Sequence, residues 1–276
     1  MATYRLDLEY EGTRYRGWQE QANARSVAGE LRRAVAACGG AVLELAGAGR
    51  TDAGVHALGQ VAHLRLGRAV DPGRFRTAVN DALPQDIHVL AFRPVPDRFH
   101  ARHDAVLRSY LYQISRRRTA LGKRGVQRTL DPEDAARMAE AAALLEGMHD
   151  FSRFCERPQD QVSTKVAVER AEIACEGALI LFRIAASHFL WKMVRRIVGT
   201  LIRVGASELS AAELAALIDG RAPSSDGPAA WTAPPSGLYL EKVLYREDPP
   251  LPPIAAAIPV AAEPPASAPK RTHTGR

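Results

Sequence analysis

At 276 residues, with 46% hydrophobic content, the chain is longer than a usual single domain and has apolar mass for more than one core. Its formal net charge is +6 and its isoelectric point about 9.5, a balance that suits a polyanionic partner better than an acidic one. Cys38, Cys155 and Cys175 form no Cys-x-x-Cys pair, and no run approaches the roughly 18 apolar residues of a membrane span; a disulfide scaffold, a zinc ribbon and a membrane protein are therefore not expected.

Tyr4, Leu6, Leu8 and Tyr10 alternate with polar neighbours, which predicts a half-buried strand ended by Glu11-Gly12-Thr13. Ser26 is placed to cap a helix bearing Val27, Leu31, Ala34, Val35 and Cys38, closed by Gly39-Gly40. A short strand over Val42–Leu45 leads into the stretch Gly47–Leu66. There Gly47, Gly49, Gly54 and Gly59 allow tight backbone paths, and the second half alternates as a strand. Asp71-Pro72 opens a second helix with Phe75, Ala78, Val79 and Ala82 on one side, and Ile87–Phe92 is the next strand. The order is that of the split β-α-β-β-α-β unit.

The second half repeats the pattern. Ala105–Ser115 is a strand with Tyr110, Tyr112 and Ile114 on one face, and Asp131-Pro132 opens a helix that Gly147 ends. Val166–Ala174 and Leu179–Ala185 form a strand pair, followed by a long helix from about His188 to Val204. Ser210 and Glu213 make a capping box for a short helix, and Leu238–Tyr245 is the last strand.

The expected fold is therefore α/β of the α+β kind: two split β-α-β-β-α-β units, ferredoxin- or RNA-recognition-module-like, with adjoining antiparallel sheets, helices on one side and a cleft between them. The expected domains are 1–104, 105–247 and a Pro/Ala-rich disordered tail over 248–276, which holds eight of the 18 prolines and ends in basic Lys270-Arg271. From Arg93 to Arg128 nine arginines and one lysine face only Asp97 and Asp104, the footprint expected of a nucleic-acid binder. The absence of an apolar leader and the unpaired cysteines predict a cytoplasmic setting.

Within the central stretch Asp52 sits in a turn with Arg50 two residues before it, a carboxylate and a guanidinium on one small surface. The string Gly-Arg-Thr-Asp-Ala-Gly-Val-His over 49–56 resembles the active-site motif of the TruA-type tRNA pseudouridine synthases. Phe99-His100-Ala101-Arg102 with Arg108-Ser109-Tyr110-Leu111-Tyr112, the segment from Phe189 through Met193-Val194-Arg195 to Val198-Gly199, and Gly237-Leu238-Tyr239-Leu240 are similar to that family in the same order. The resemblance spans about Tyr4 to Tyr245 and departs from the family pattern at His188, Trp191-Lys192 and Lys165-Val166.

The resemblance implies the pseudouridine synthase fold and an isomerase that converts uridine to pseudouridine at positions 38, 39 and 40 in the anticodon stem-loop of tRNA. It implies a homodimer that uses no metal and no other cofactor. Residue by residue, it implies Asp52 as nucleophile, Arg195 as its ion-pair partner and Arg50 as the group that displaces the target nucleotide. Tyr110 would stack on uracil and assist proton removal, Leu238 would pack under the base, and Arg102 and Arg108 would bind substrate. Those parts match what the chemistry needs: a charged carboxylate, a cation beside it, a stacking ring and a means of extracting the nucleotide.

Three other readings stand beside it. A non-catalytic pair of RNA-recognition modules has the same element order, but the aromatic signature of such modules is missing from the sequence. For a metal hydrolase, His100-x-x-His103 and His149 bring no matching cysteines or carboxylates in sequence. A two-carboxylate glycosidase would need a second acid by Asp52, and the nearest, Glu44 and Asp71, lie outside the motif.

Overall fold

The structure is a computed structural model that describes residues 1–119, 131–156, 163–220 and 227–262. Its first half runs β1 (Ala2–Tyr10), α1 (Val27–Ala37), β2 (Val42–Gly47), β3 (His56–Leu66), α2 (Pro72–Ala82) and β4 (Ile87–Val95). The second half runs β5 (Leu107–Ser115), α3 (Pro132–Ala143), β6 (Gly147–Asp150), β7 (Lys165–Glu176), β8 (Leu179–Ala186), α4 (Met193–Gly205), α5 (Ala211–Ile218) and β9 (Leu238–Leu244). The helix starts follow local chemistry. Ser26 Oγ accepts the Gly29 N–H at 3.2 Å, Asp71 accepts the Arg74 N–H at 2.8 Å, and Asp131 with Asp134 and Ser210 with Glu213 form reciprocal capping boxes.

Among the described residues nine strands form one sheet in the order β4-β1-β3-β9-β5-β8-β7-β6, with β2 paired to β3. The two expected units are visible within it as β4-β1-β3-β2 and β9-β5-β8-β7. Their seam is a parallel pairing, the only one among the described residues, of His56 and Ala57 of β3 against Tyr239 and Leu240 of β9. Every other strand pair is antiparallel. Tyr110, Tyr112 and Ile114 point with Phe182 and Ile184 into the main core, where Met193, Ile197 and Leu201 of α4 also lie.

The structure departs from the expectations at three points. The long helix begins at Met193 rather than His188, because Lys192 adopts the left-handed conformation (φ 63°) and breaks the helical path. The edge strand β6 is too short, at four residues, to show a period in sequence. Helices lie on one face of the sheet, as expected, but β5 and β8 are buried along their whole length, which requires a cover on the other face as well.

That second cover is the stretch read as a disordered tail. As far as residue 262 it is a seated strap, with Val260 buried and Ile254, Ala256 and Ala257 packed over Leu111, Leu179, Leu181 and Tyr239. The Ala178 N–H donates to the Val260 carbonyl at 2.8 Å, and Gln113 accepts the Ile258 N–H at 3.0 Å. Arg183, fully buried, donates to the Pro252 carbonyl at 2.8 Å while pairing with Glu172 at 2.9 Å and with Glu241. Prolines suit such a strap because it needs few backbone donors. Lys123, Arg124 and Arg128 of the basic window, and Lys270-Arg271, lie outside the described residues.

Candidate active site

The turn between β2 and β3 is held from all sides by backbone hydrogen bonds. Ala48 N–H donates to Val61 O (2.7 Å), Trp18 N–H to Thr51 O (3.1 Å), and Gly54 N–H to Tyr15 O (3.2 Å). Gly54 has φ 78°, a conformation that a side chain would strain, and a methyl built on Gly47 would lie 2.6 Å from the Trp18 indole. Gln60, fully buried on β3, donates to the Gly49 carbonyl at 2.9 Å and accepts the Gly49 N–H at 3.4 Å. The Tyr10 and Thr51 hydroxyls meet at 2.8 Å beneath it. The turn that carries Asp52 is thus preorganised by groups on β1 and β3.

Asp52 is one-quarter exposed, and its Oδ2 lies 3.5 Å from Nη1 of Arg195. Arg195 stands at the first turn of α4, and its Nε donates to the Ala233 carbonyl at 2.7 Å while its own carbonyl accepts the Ala233 N–H at 3.0 Å. The guanidinium is therefore gripped by the 227–233 segment and pointed across the seam. Arg50 is exposed and makes no ion pair with Asp52 among the described residues. The sequence neighbour is not the partner; the remote arginine is.

Tyr110 on β5 is buried, with Phe189 set edge-on at 5.0 Å and 85°. Burial first, then the nearby Tyr10 hydroxyl and the Asp52 charge, push its phenol up from the ordinary value, so it is protonated at neutral pH. Leu238 starts β9 and is also buried. Asp52, Arg195, Tyr110, Leu238, Arg50, Arg102 and Arg108 all line one cleft of about 1010 Å³.

Two of these arginines differ in kind. Arg102 is exposed at the rim, whereas Arg108 is buried and donates to the carbonyls of Ala48 (3.1 Å), Arg102 (2.5 Å), Ala105 (3.2 Å) and Ser187 (2.5 Å). Arg108 ties the Asp52 turn to the 99–105 loop and the end of β8. Among the described residues its charge is paired with no carboxylate and is met by backbone carbonyls alone.

Glu44, His63 and His100 bring potential ligand atoms within 4.8 Å of one another, a cluster that sequence spacing did not reveal. Its hydrogen bonds argue for a different use. His63 Nδ1 accepts the Ala101 N–H at 3.2 Å, and His100 Nδ1 accepts the N–H groups of Arg102 (3.2 Å) and His103 (3.3 Å). A neutral imidazole that accepts at Nδ1 carries its proton on Nε2, and His63 Nε2 lies 3.1 Å from Glu44 Oε1, so that ring turns a donor toward the carboxylate rather than a ligating lone pair. Burial raises the Glu44 carboxyl, but His63 and Arg65 outweigh it and bring it below its ordinary value, so Glu44 is the charged acceptor. The cluster braces the loop that bears Arg102.

A mostly antiparallel nine-stranded sheet with five α-helices among the described residues, and an aspartate–arginine pair at its central seam, define a protein of the pseudouridine synthase fold. The family model described as tRNA pseudouridine synthase matches residues 8–104 and 141–246, and the chain belongs to that family of isomerases. Among curated relatives it is similar to the tRNA pseudouridine synthase A of Rhodopseudomonas palustris strain BisA53, 43% identical over 249 residues, covering 89% of this chain and 100% of the relative. The proteins of the same name from Afipia carboxidovorans (41%, covering 89% and 100%) and Allorhizobium ampelinum (40%, covering 90% and 96%) are similar over nearly the same extent. No helix among the described residues is long and apolar enough to cross a membrane.

Proposed function

We propose that the protein isomerises uridine to pseudouridine in tRNA, at positions 38, 39 and 40 of the anticodon stem-loop. The observation that carries this reading is the Asp52–Arg195 pair at the floor of a cleft lined with arginines. In the reaction the C1′–N1 glycosidic bond breaks, the uracil turns, a C1′–C5 bond forms, N1 gains a proton and C5 loses one. Asp52 acts as the nucleophile, and Arg195 holds it charged and aimed when RNA closes the cleft to water. Tyr110 stacks on the uracil above Leu238, Arg50 enters the space left by the extracted nucleotide, and Arg102 takes phosphate. Arg108 serves substrate binding by fixing the loops on which Arg102 and Asp52 sit.

The reading includes a cytoplasmic homodimer, with 1–104 and 105–247 as its two α/β domains and tRNA held against Arg16, Arg50 and Arg102. A footprint of this kind weakens steeply with salt. The test is release of tritium from C5-tritiated uridine in an unmodified tRNA transcript, comparing the intact protein with Asp52→Asn. Release by the intact protein and none by the variant, with RNA binding retained in both, is the expected result. Tight binding without release by either would favour a non-catalytic RNA-binding protein.

A further inference from the structure

Tryptophan is a residue that folding normally covers, yet Trp191 is 47% exposed while Trp18, across the same cleft, is 3% exposed. The segment around it is built to turn this one ring outward. Phe189 packs edge-on against Tyr110 and Leu190 is buried, so the residues before it face inward. Lys192 after it takes the left-handed conformation, unfavourable by about 1–2 kcal/mol for a residue with a side chain, and α4 starts immediately beyond. The Trp191 carbonyl accepts the Glu156 N–H at 3.1 Å, which holds the turn.

The ring's surroundings select its partner. Lys192 Nζ sits 5.1 Å from the ring centroid and is itself held by Glu156 Oε2 at 2.5 Å, so a cation occupies one side of the indole. Among the described residues no other ring stacks on it. Trp191 and Lys192 line the cleft that holds Asp52, together with Arg16, Arg32, Arg50 and Arg102. An apolar peptide or lipid would leave the cations of this cleft without a partner, whereas a nucleotide supplies a planar base for the ring and a phosphate for the cations.

We infer that Trp191 is a stacking platform for an unpaired base of the RNA substrate next to the target uridine, with Lys192 on the adjoining phosphate. The inference rests on the proposed RNA-modifying activity and adds a second base-binding position to it. Tyr110 and Leu238 hold the base that reacts; Trp191 holds one that does not. It is a positioning residue, and its effect belongs in RNA affinity rather than in the chemical step.

The full-length protein, Trp191→Phe and Trp191→Leu are compared with the same tritiated tRNA transcript. Binding of the transcript is expected to quench the intrinsic fluorescence of the full-length protein, and Trp191→Phe is expected to lose most of that quench because Trp18 is buried and Trp231 does not line the cleft. KM for the transcript is expected to rise about tenfold in Trp191→Leu and to stay within about twofold in Trp191→Phe, with kcat unchanged in both. Thermal unfolding of both variants matching the full-length protein would show that packing is not the cause. Unchanged KM in Trp191→Leu, or tritium release by the full-length protein without any quench, overturns the platform and leaves the proposed activity standing. Quenching without tritium release leaves the platform standing and overturns the activity.

Discussion

Arg195 joins Asp52 to Ala233: Nη1 lies 3.5 Å from the carboxylate, and Nε donates to the Ala233 carbonyl at 2.7 Å. One planar guanidinium thus spans the seam between the two units and is anchored on its own side by backbone. Lysine cannot make both contacts from one ammonium group. Arg195→Lys is therefore expected to lower kcat about a hundredfold, in line with the loss seen when a catalytic group is displaced by an ångström, with tRNA affinity little changed. Single-turnover tritium release beside a filter-binding isotherm separates the two quantities.

The same segment sets a limit on α4. A methyl on Gly199 would stand 1.6 Å from the Trp231 carbonyl oxygen, so helix and segment touch backbone to backbone. Gly199→Ala is expected to push the 227–233 segment away, destabilise the fold by about 1–3 kcal/mol and loosen Arg195. Thermal unfolding reads the first effect and turnover the second. A variant with wild-type stability and activity would mean that the segment is not clamped there.

Gln60 braces Gly49 with both ends of its amide, and it is fully buried. Gln60→Leu keeps the volume but strands the Gly49 N–H and carbonyl, an expected loss of about 1–3 kcal/mol. Urea unfolding measures it, and turnover should fall with it because the Asp52 turn loses its support.

Removal of the strap has a different signature. Truncation after Arg246 uncovers Leu111, Leu181 and Tyr239 on the sheet face opposite Tyr110, and it takes the Pro252 carbonyl from Arg183. The truncated chain is expected to melt earlier and to self-associate, while turnover per folded molecule well below its melting temperature stays close to that of the full chain. Arg183→Met should be the more damaging change, about 3–5 kcal/mol, because it leaves Glu241 beside a buried face without its cation.

Stability should depend on pH at both ends. Burial is the main reason that His56, His100 and His188 sit below their ordinary value of 6.5; His63 and His103 add to it at His100, and Arg108 and Arg102 at His188. The unfolded chain then takes up protons below about pH 6.5 that the folded one refuses, so stability falls as pH drops through that window. At the alkaline end burial pushes Tyr10 and Tyr239 up to about 12, and stability falls once pH rises past their ordinary value of 10.0. Melting curves across pH check both signs. A melting temperature that rises on acidification below pH 6.5 would contradict the lowered values of these histidines.

What was legible in the sequence was local. Alternation along β1, β3 and β5, the Ser26, Asp71, Asp131 and Ser210 caps and the eight-residue string around Asp52 all encode their meaning within a few residues of chain. They predicted nearly every element, and the family resemblance of four short segments named seven residues that the fold brings to one cleft. Tertiary structure alone decided the rest, because contacts between polar groups distant in sequence leave no period to read. Nothing near Gln60 announces Gly49, nothing near Arg183 announces Glu241 and the Pro252 carbonyl, and a proline-rich stretch looks the same whether free or seated. The backbone reversal at Lys192, the carbonyl cage of Arg108 and the outward ring of Trp191 depend on what packs around them, and that is settled only when the two units close on each other.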